Sequence, residues 1–411
     1  MKIAQVNKYL YPKGGADIYC LRLGELLRKK GHGVVLLGME PPDGEEPDLP
    51  AYTVSAVDYE SSPGGGDKLS MAAGLVYSRE AARQMARLIR HEQPDLVHFH
   101  NIYHQLSPSV ILTAWSMGVP TVMTLHDYKI TCTVYSHYRR GVVCEDCRRG
   151  RFYNTVWHRC VKESWVKSLL GAAEMYLHRG LLRSYEKVDV RISPSRFLRD
   201  KMHELGFSAP IRWLPYFVDV EGFRPRYDWD RPQICYFGRL SSEKGVPTLL
   251  DAVSGLDLTL RIIGRGPEEE ALKRKVEAEG IEHVTFEGFQ YGENLREMIR
   301  SCMFPVVSSE WYDNNPLAIY ESFALGKPVV GARLGGIPEL IGRDRGRCFT
   351  PGAAAELRDV IADLVQKPEQ VRSMGRNARR YAEKQFAPDV HYERLMDVYR
   401  NCAAEAEVRI S

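Results

Sequence analysis

The chain has 411 residues, 44% hydrophobic and 27% charged, a soluble globular balance of two-domain length rather than a disordered or single-core one. A net charge of +3 and a pI near 8.3 are too mild to point to nucleic acid. No run approaches the about 20 uncharged apolar residues of a membrane span, and the start lacks the apolar stretch and cleavage site of a signal peptide, so the expected location is cytoplasmic.

In chain order, Lys2–Val6 reads as a strand and 18–30 as an amphipathic helix ending at Gly31. Val34–Gly38 is a second strand, and 41–68, rich in Pro, Gly, Asp and Glu, is a loop. A helix over 79–91, a buried strand over 95–100, a helix over 107–117 and a strand over 121–125 follow. This alternation predicts a parallel sheet covered on both faces. It restarts later: a strand over 191–194, a short segment at 211–214, and a polar linker over 222–232. Then come strands at 234–238, 258–264, 284–287, 305–308, 328–331 and 347–349. The helices between and after them span 246–253, 268–279, 294–302, 354–366, 371–384 and 390–404. The fold class is therefore α/β, with two doubly wound Rossmann-like domains at 1–210 and 211–385 and a terminal helix over 386–411 expected to pack back on the first domain. Ligands of such sheets bind at the carboxyl ends of the strands, which places the site in the cleft between domains.

Three segments suit a phosphorylated ligand. Gly14 and Gly15 follow the first strand and precede the first helix, where the backbone can approach a ligand and free N–H groups face an anion. Gly264 lies in a similar turn of the second domain, which lacks the third glycine and acidic residue of a dinucleotide fingerprint. In Gly238-Arg239-Leu240-Ser241-Ser242-Glu243-Lys244-Gly245, a fork and a point charge follow a strand end, the pairing a leaving diphosphate requires. Asp313 precedes Glu321 by eight positions. Between them, Asn314, Asn315, Pro316 and Leu317 lead into a helix whose N–H groups face an anion. A carboxylate accepts two hydroxyl hydrogen bonds, which suits a ribose diol at Glu321 and sugar hydroxyls at Asp313.

With these motifs the chain resembles glycosyltransferase family 4, retaining enzymes of the GT-B fold, over nearly its whole length. The family's acidic pair, E-x7-E, reads Asp313-x7-Glu321 here, one methylene shorter at the first position. Arg239 to Gly245 matches its phosphate turn, Gly14-Gly15 its amino-terminal loop, and Gly335-Gly336-Ile337-Pro338-Glu339 the segment after the acidic helix. Gly288-Phe289 is similar to its nucleobase turn, and His126 in Thr124-Leu125-His126-Asp127-Tyr128 to its acceptor-side histidine. His98 and His100 are expected to be mainly structural, with His100 or Asn101 near the acceptor.

The resemblance implies a UDP- or GDP-sugar donor, a glycan or lipid-linked acceptor in polysaccharide or glycoconjugate biosynthesis, and retention of anomeric configuration. It makes His126, Arg239, Lys244 and Asp313 the catalytic set. Gly14, Gly15, Gly264, Phe289, Asn314, Asn315, Pro316, Leu317 and Glu321 are the donor-binding set. Protein cations then replace a catalytic metal, so no cofactor is expected, and Asp228-Trp229-Asp230, formally a metal-binding D-x-D, reads as solvated linker. A nucleotide-sugar epimerase or hydrolase on the same fold, or a zinc-stapled binding protein without catalysis, are the alternatives.

Four of the nine cysteines, Cys132, Cys144, Cys147 and Cys160, form C-x11-C-x2-C-x12-C in a basic insertion over about 130–165. The spacing suits a structural Zn2+, with His137 and His158 as substitute ligands. Free thiols or a redox pair are the other readings. The apolar-striped helix over 165–182 carries Lys167, His178, Arg179 and Arg183. It fits either an ordinary core helix or, by the resemblance, a contact with an anionic membrane surface at the inner face of the cell membrane.

Overall fold

The structure, a computed structural model of the chain, describes residues 1–42, 47–55, 74 and 76–410. Most of the 41–68 loop reading lies outside the described residues. The exception is a short strand at Ala51–Val54 that pairs in parallel with the strand before it.

Strands β1 (Lys2–Tyr9), β2 (Gly33–Met39), β3 (Ala51–Val54), β4 (Leu96–Phe99), β5 (Thr121–Thr124), β8 (Val190–Ser193) and β9 (Ile211–Trp213) form one sheet in the order β3-β2-β1-β4-β5-β8-β9. The hairpin of β6 (Tyr138–Arg139) and β7 (Val142–Val143) stands apart from it. The second sheet, in the order β12-β11-β10-β13-β14-β15, contains β10 (Gln233–Phe237), β11 (Thr259–Ile263), β12 (Val284–Gly288), β13 (Phe304–Val307), β14 (Val329–Ala332) and β15 (Gly346–Phe349). Every pairing in both sheets is parallel. Strands such as Leu-Val-His-Phe of β4 and Phe-Pro-Val-Val of β13 are buried along their whole length, as sheets covered on both faces require.

The strand order reverses between β1 and β4 in the first sheet and between β10 and β13 in the second. A crevice opens where neighbouring strands send their connections in opposite directions. β1 ends at the Gly14-Gly15 turn, β10 at Gly238-Arg239, and β13 at the segment leading to Asp313, so the phosphate-suited motifs fall at these points.

Strand β9 pairs with β8. The first domain therefore runs past residue 210, and the boundary placed there by sequence is corrected: the segment at 211–214 reads like the start of a new repeat but closes the old one. Four short helices escaped the sequence reading or were left without bounds: 153–157, 196–204, 317–324 and 337–341. The helix over 165–175 passes into a π-helical turn at 176–181. It is anchored under the first sheet by a buried ion pair, Lys129 Nζ to Glu174 Oε2 at 2.6 Å.

The helix over 388–410 returns to the first domain. His391 bonds Tyr19 Oη at 3.0 Å and the carbonyl of Pro215 at 2.9 Å. Tyr399 Oη meets His98 Nδ1 at 2.8 Å, and the Cys402 thiol donates to the Thr121 carbonyl. The chain thus crosses between domains twice, and the two crossings are joined by Val218 N–H donating to the Phe386 carbonyl at 2.9 Å.

Candidate functional site

The site is assembled from strand ends. Gly238 and Gly264 end β10 and β11, and a Cβ on Gly264, whose φ is +146°, would stand 1.9 Å from the Gly238 carbonyl oxygen. Only glycine allows the two turns to lie this close. Gly336 does the same for Asp313-Asn314, since its Cβ would stand 1.8 Å from the Asn314 oxygen.

Arg239 is exposed at the first of these turns. Lys244, five residues on in a short 3-10 turn, reaches Asp313: Nζ stands 2.6 Å from Oδ2. Ser309 Oγ donates to the same oxygen at 2.8 Å. Asp313 is buried, so its charge is compensated by a cation and a hydroxyl together.

The helix over 317–324 starts at Leu317 after Pro316. Glu321 lies one turn in, and burial raises its carboxyl above the ordinary value, with Arg22 of the first helix 3.8 Å away opposing that shift. Gly15, at the start of that first helix, faces Leu317 across the cleft. The two expected helix starts therefore lie beside one another. Phe289 is exposed after β12 and stacks beside Tyr291 at a centroid distance of 6.2 Å.

Asn314 and Asn315 are brought to the same place, but their side chains join the domains. Ser195 Oγ donates to Asn314 Oδ1, Asn314 Nδ2 donates to the His126 carbonyl at 3.2 Å, and Asn315 Nδ2 to the Pro194 carbonyl at 3.1 Å and to Tyr320 Oη at 2.7 Å. Glu339 accepts from Arg196 N–H with both oxygens. Burial raises its carboxyl to about 7.

His126 follows β5 as expected, but its ring is enclosed. Nδ1 meets Tyr216 Oη at 2.6 Å and Nε2 meets His100 Nδ1 at 3.1 Å. Burial lowers its pKa to about 3. At the carboxyl end of β5 the ring is held neutral in a His100–His126–Tyr216 chain, because Tyr216, from the interdomain crossing, closes over it. His98 is likewise bonded at both nitrogens, to Tyr399 and Thr124. Two residues not singled out from the sequence stand in the same cleft. Asp127, raised by burial, accepts from the Lys129 amide and Tyr103 Oη. Tyr135 is half exposed within electrostatic reach of Asp127 and Arg239. Asp127 was legible as the neighbour of His126, whereas nothing in the insertion's sequence distinguishes Tyr135.

Asp228 and Asp230 carry side chains 79% and 92% exposed and pair with Arg372 and Arg226. Among the described residues no group of three or more His, Cys, Asp and Glu side chains is arranged to hold a metal ion. The four cysteines of the insertion are free thiols lining one small cavity. Among the described residues no helix is long and apolar enough to cross a membrane.

The family model described as Glycosyltransferase Family 4 matches residues 13–221, and that described as Glycosyl transferases group 1 matches 221–381. The chain is 24% identical over 95% of its length to the MMP alpha-(1->4)-mannosyltransferase of Mycolicibacterium hassiacum, covering 95% of that protein. It is 23% identical to the N-acetyl-alpha-D-glucosaminyl L-malate synthase of Bacillus anthracis, over 95% of this chain and 94% of that one. Among solved structures, the sucrose-phosphate synthase of Thermosynechococcus elongatus superposes with a TM-score of 0.75 at 19% identity, over 98% and 99% of the two chains. Anabaena HepE in complex with UDP-glucose gives 0.69 at 17%, over 98% and 100%. These likenesses agree with the two facing parallel-sheet domains described above.

Proposed function

The chain belongs to glycosyltransferase family 4, has the GT-B fold and is a glycosyltransferase, and from that premise we propose that it transfers a sugar, with retention, from a UDP- or GDP-sugar to a hydroxyl of a glycan or lipid-linked acceptor. One observation carries this reading. Lys244, in the turn after β10 that Arg239 opens, pairs with a buried carboxylate beyond β13, and Gly15 faces the helix start at Leu317.

In this scheme Arg239, Lys244 and the free N–H groups near Leu317 take the charge that develops on the departing diphosphate. Asp313 receives hydroxyls of the transferred sugar, Glu321 the ribose diol, and Phe289 borders the base. The acceptor hydroxyl is brought against the end of β5, where His126 and Asp127 stand. It attacks the face from which the diphosphate leaves, and its proton passes to the leaving phosphate oxygen. Protein cations stabilise the departing charge without a catalytic metal.

The acceptor side also suggests a membrane contact. Trp157, Val166 and Leu181 are 75%, 77% and 78% exposed, and Trp165, Leu169 and Tyr176 are exposed beside them, among Arg159, Lys162, Lys167 and Arg183. Exposed aromatic and aliphatic side chains with basic neighbours suit an anionic bilayer, and a lipid-linked acceptor lies in one.

The test is a thermal-shift screen with UDP, GDP and ADP, then their sugars, followed by transfer assays with the stabilising donor. Release of nucleoside diphosphate only when acceptor is added, with an axial-to-axial anomeric outcome by NMR, supports the reading. Donor turnover without acceptor identifies an epimerase or hydrolase instead.

A further inference from the structure

The insertion between β5 and β8 is held by little that is apolar. From 133 to 164 the only buried hydrophobic side chain is Phe152. The same stretch holds seven of the eleven non-glycine residues with positive φ among the described residues: Tyr135, His137, Arg140, Arg149, Arg159, Lys162 and Glu163. Such backbone persists only where the surroundings over-determine it, and hydrophobic burial does not do so here.

Cys132, Cys144, Cys147 and Cys160 meet around one cavity of about 50 Å³. All four are free thiols. Of the two histidines at its border, His137 spends both ring nitrogens, on the Cys144 carbonyl at 2.8 Å and Thr131 at 3.0 Å, and His158 spends Nε2 on Asp146 at 2.8 Å. The four sulfurs line the cavity together. The sulfurs stand around the cavity rather than closed on its centre, and a bound metal would draw them in.

We propose that these four cysteines bind one Zn2+ as thiolates, and that the metal fixes the two turns bearing Tyr135 and Glu145 against the cleft. Binding releases four protons and leaves a closed tetrahedral S4 shell with no position for water, a structural site. Four sulfurs in tetrahedral array select zinc or iron over harder metals. Tyr135 lies in the turn after Cys132, close to Arg239. Glu145, between Cys144 and Cys147, accepts from Tyr312 Oη at 2.7 Å and Lys201 Nζ at 3.0 Å. Tyr312 immediately precedes Asp313, so a knuckle of the first domain grips the chain beside the buried carboxylate of the second. Only the significance of that grip for transfer rests on the glycosyltransferase reading; the metal does not.

Elemental analysis of the full chain, purified without added metal, tests the site directly. About one zinc per chain is expected, displaced as a mercurial titrates the thiols. A metal-free folded protein overturns the site, as does iron in place of zinc. Cys144→Ser/Cys147→Ser should lose the metal. Because that variant can unfold, cobalt exchanged into the wild-type chain is the independent measurement, expected to show the absorption of tetrahedral cobalt thiolate. The grip is tested by hydrogen exchange on chelation. Amides of 132–147 and of 311–315 should exchange at least about ten-fold faster while β10 and β11 stay protected. Unchanged exchange at 311–315 overturns it.

Discussion

Lys244 Nζ stands 2.6 Å from Asp313 Oδ2, which ties the end of the phosphate turn to the first carboxylate of the acidic pair. Each holds the other in place, so neither acts alone. Lys244→Ala and Asp313→Ala should each lower turnover on the order of 10²–10³-fold, and the double variant about as much as the worse single one. Steady-state kinetics of the four proteins decide this, and multiplicative losses would make the two residues independent. Arg239→Ala should lose a similar factor, and near-wild-type turnover in both cation variants would remove the diphosphate assignment.

The two carboxylates should separate by assay. Glu321→Ala is expected to weaken nucleoside diphosphate binding roughly ten- to hundred-fold, the value of charge-assisted hydrogen bonds to a diol. Asp313→Ala should mainly slow transfer. Calorimetric titration with the nucleoside diphosphate alone distinguishes them, and equal affinity losses refute the division.

EDTA added at the start of the assay should leave initial transfer rates within about two-fold of the control, since Arg239 and Lys244 carry the charge that Mg2+ would otherwise neutralise. An immediate loss reversed by Mg2+ would return Asp228 and Asp230 to consideration as ligands.

Lys327 is a buried cation whose amine has no hydrogen-bond partner. Burial lowers its pKa from 10.5 to about 8. The folded state therefore binds fewer protons than the unfolded one between those values, so stability rises with pH across that window and the full penalty is present below it. Lys327→Met should stabilise the protein at pH 7 by on the order of 1–3 kcal/mol, a gain that shrinks toward pH 10. Thermal unfolding of both proteins across that range is the check, and a pH-independent difference would show that the charge is not its cause.

Replacing Trp157 and Leu181 by Ser should cut sedimentation with anionic vesicles by roughly ten-fold, as expected when two large exposed apolar side chains no longer enter the interface. Sedimentation equal to wild type, or insensitive to anionic lipid, would leave the face an ordinary surface.

Much of this arrangement was legible in the sequence because the relevant signals are local. Apolar runs at strand spacing marked both sheets, and glycines marked the turns after β1, β10 and β11. What escaped depends on partners far along the chain. Ala51–Val54 is an edge strand among Pro and Gly, recognisable only beside β2. The enclosure of His126 needs Tyr216, 90 residues away. Asn314 and Asn315 mark the approach to a helix start, but that their side chains bond Ser195, His126, Pro194 and Tyr320 depends on distant segments. The place of Tyr135 in the cleft follows from a backbone turn that composition does not encode.

The bond from Val218 to the Phe386 carbonyl lays the two interdomain crossings side by side. Two chains joined along one line act as the spine of a book. The covers swing about that line, while sliding and twisting would have to stretch one crossing against the other. Opening of the cleft is thereby reduced to a single angle. Gly15 and Leu317 lie near the spine, each one helical turn from Tyr19 or Tyr320, which pack on Phe217 and Phe386, so probes placed farther out on the two domains would follow the motion with one number, and severing the chain near residue 386 would return the degrees of freedom that the spine removes.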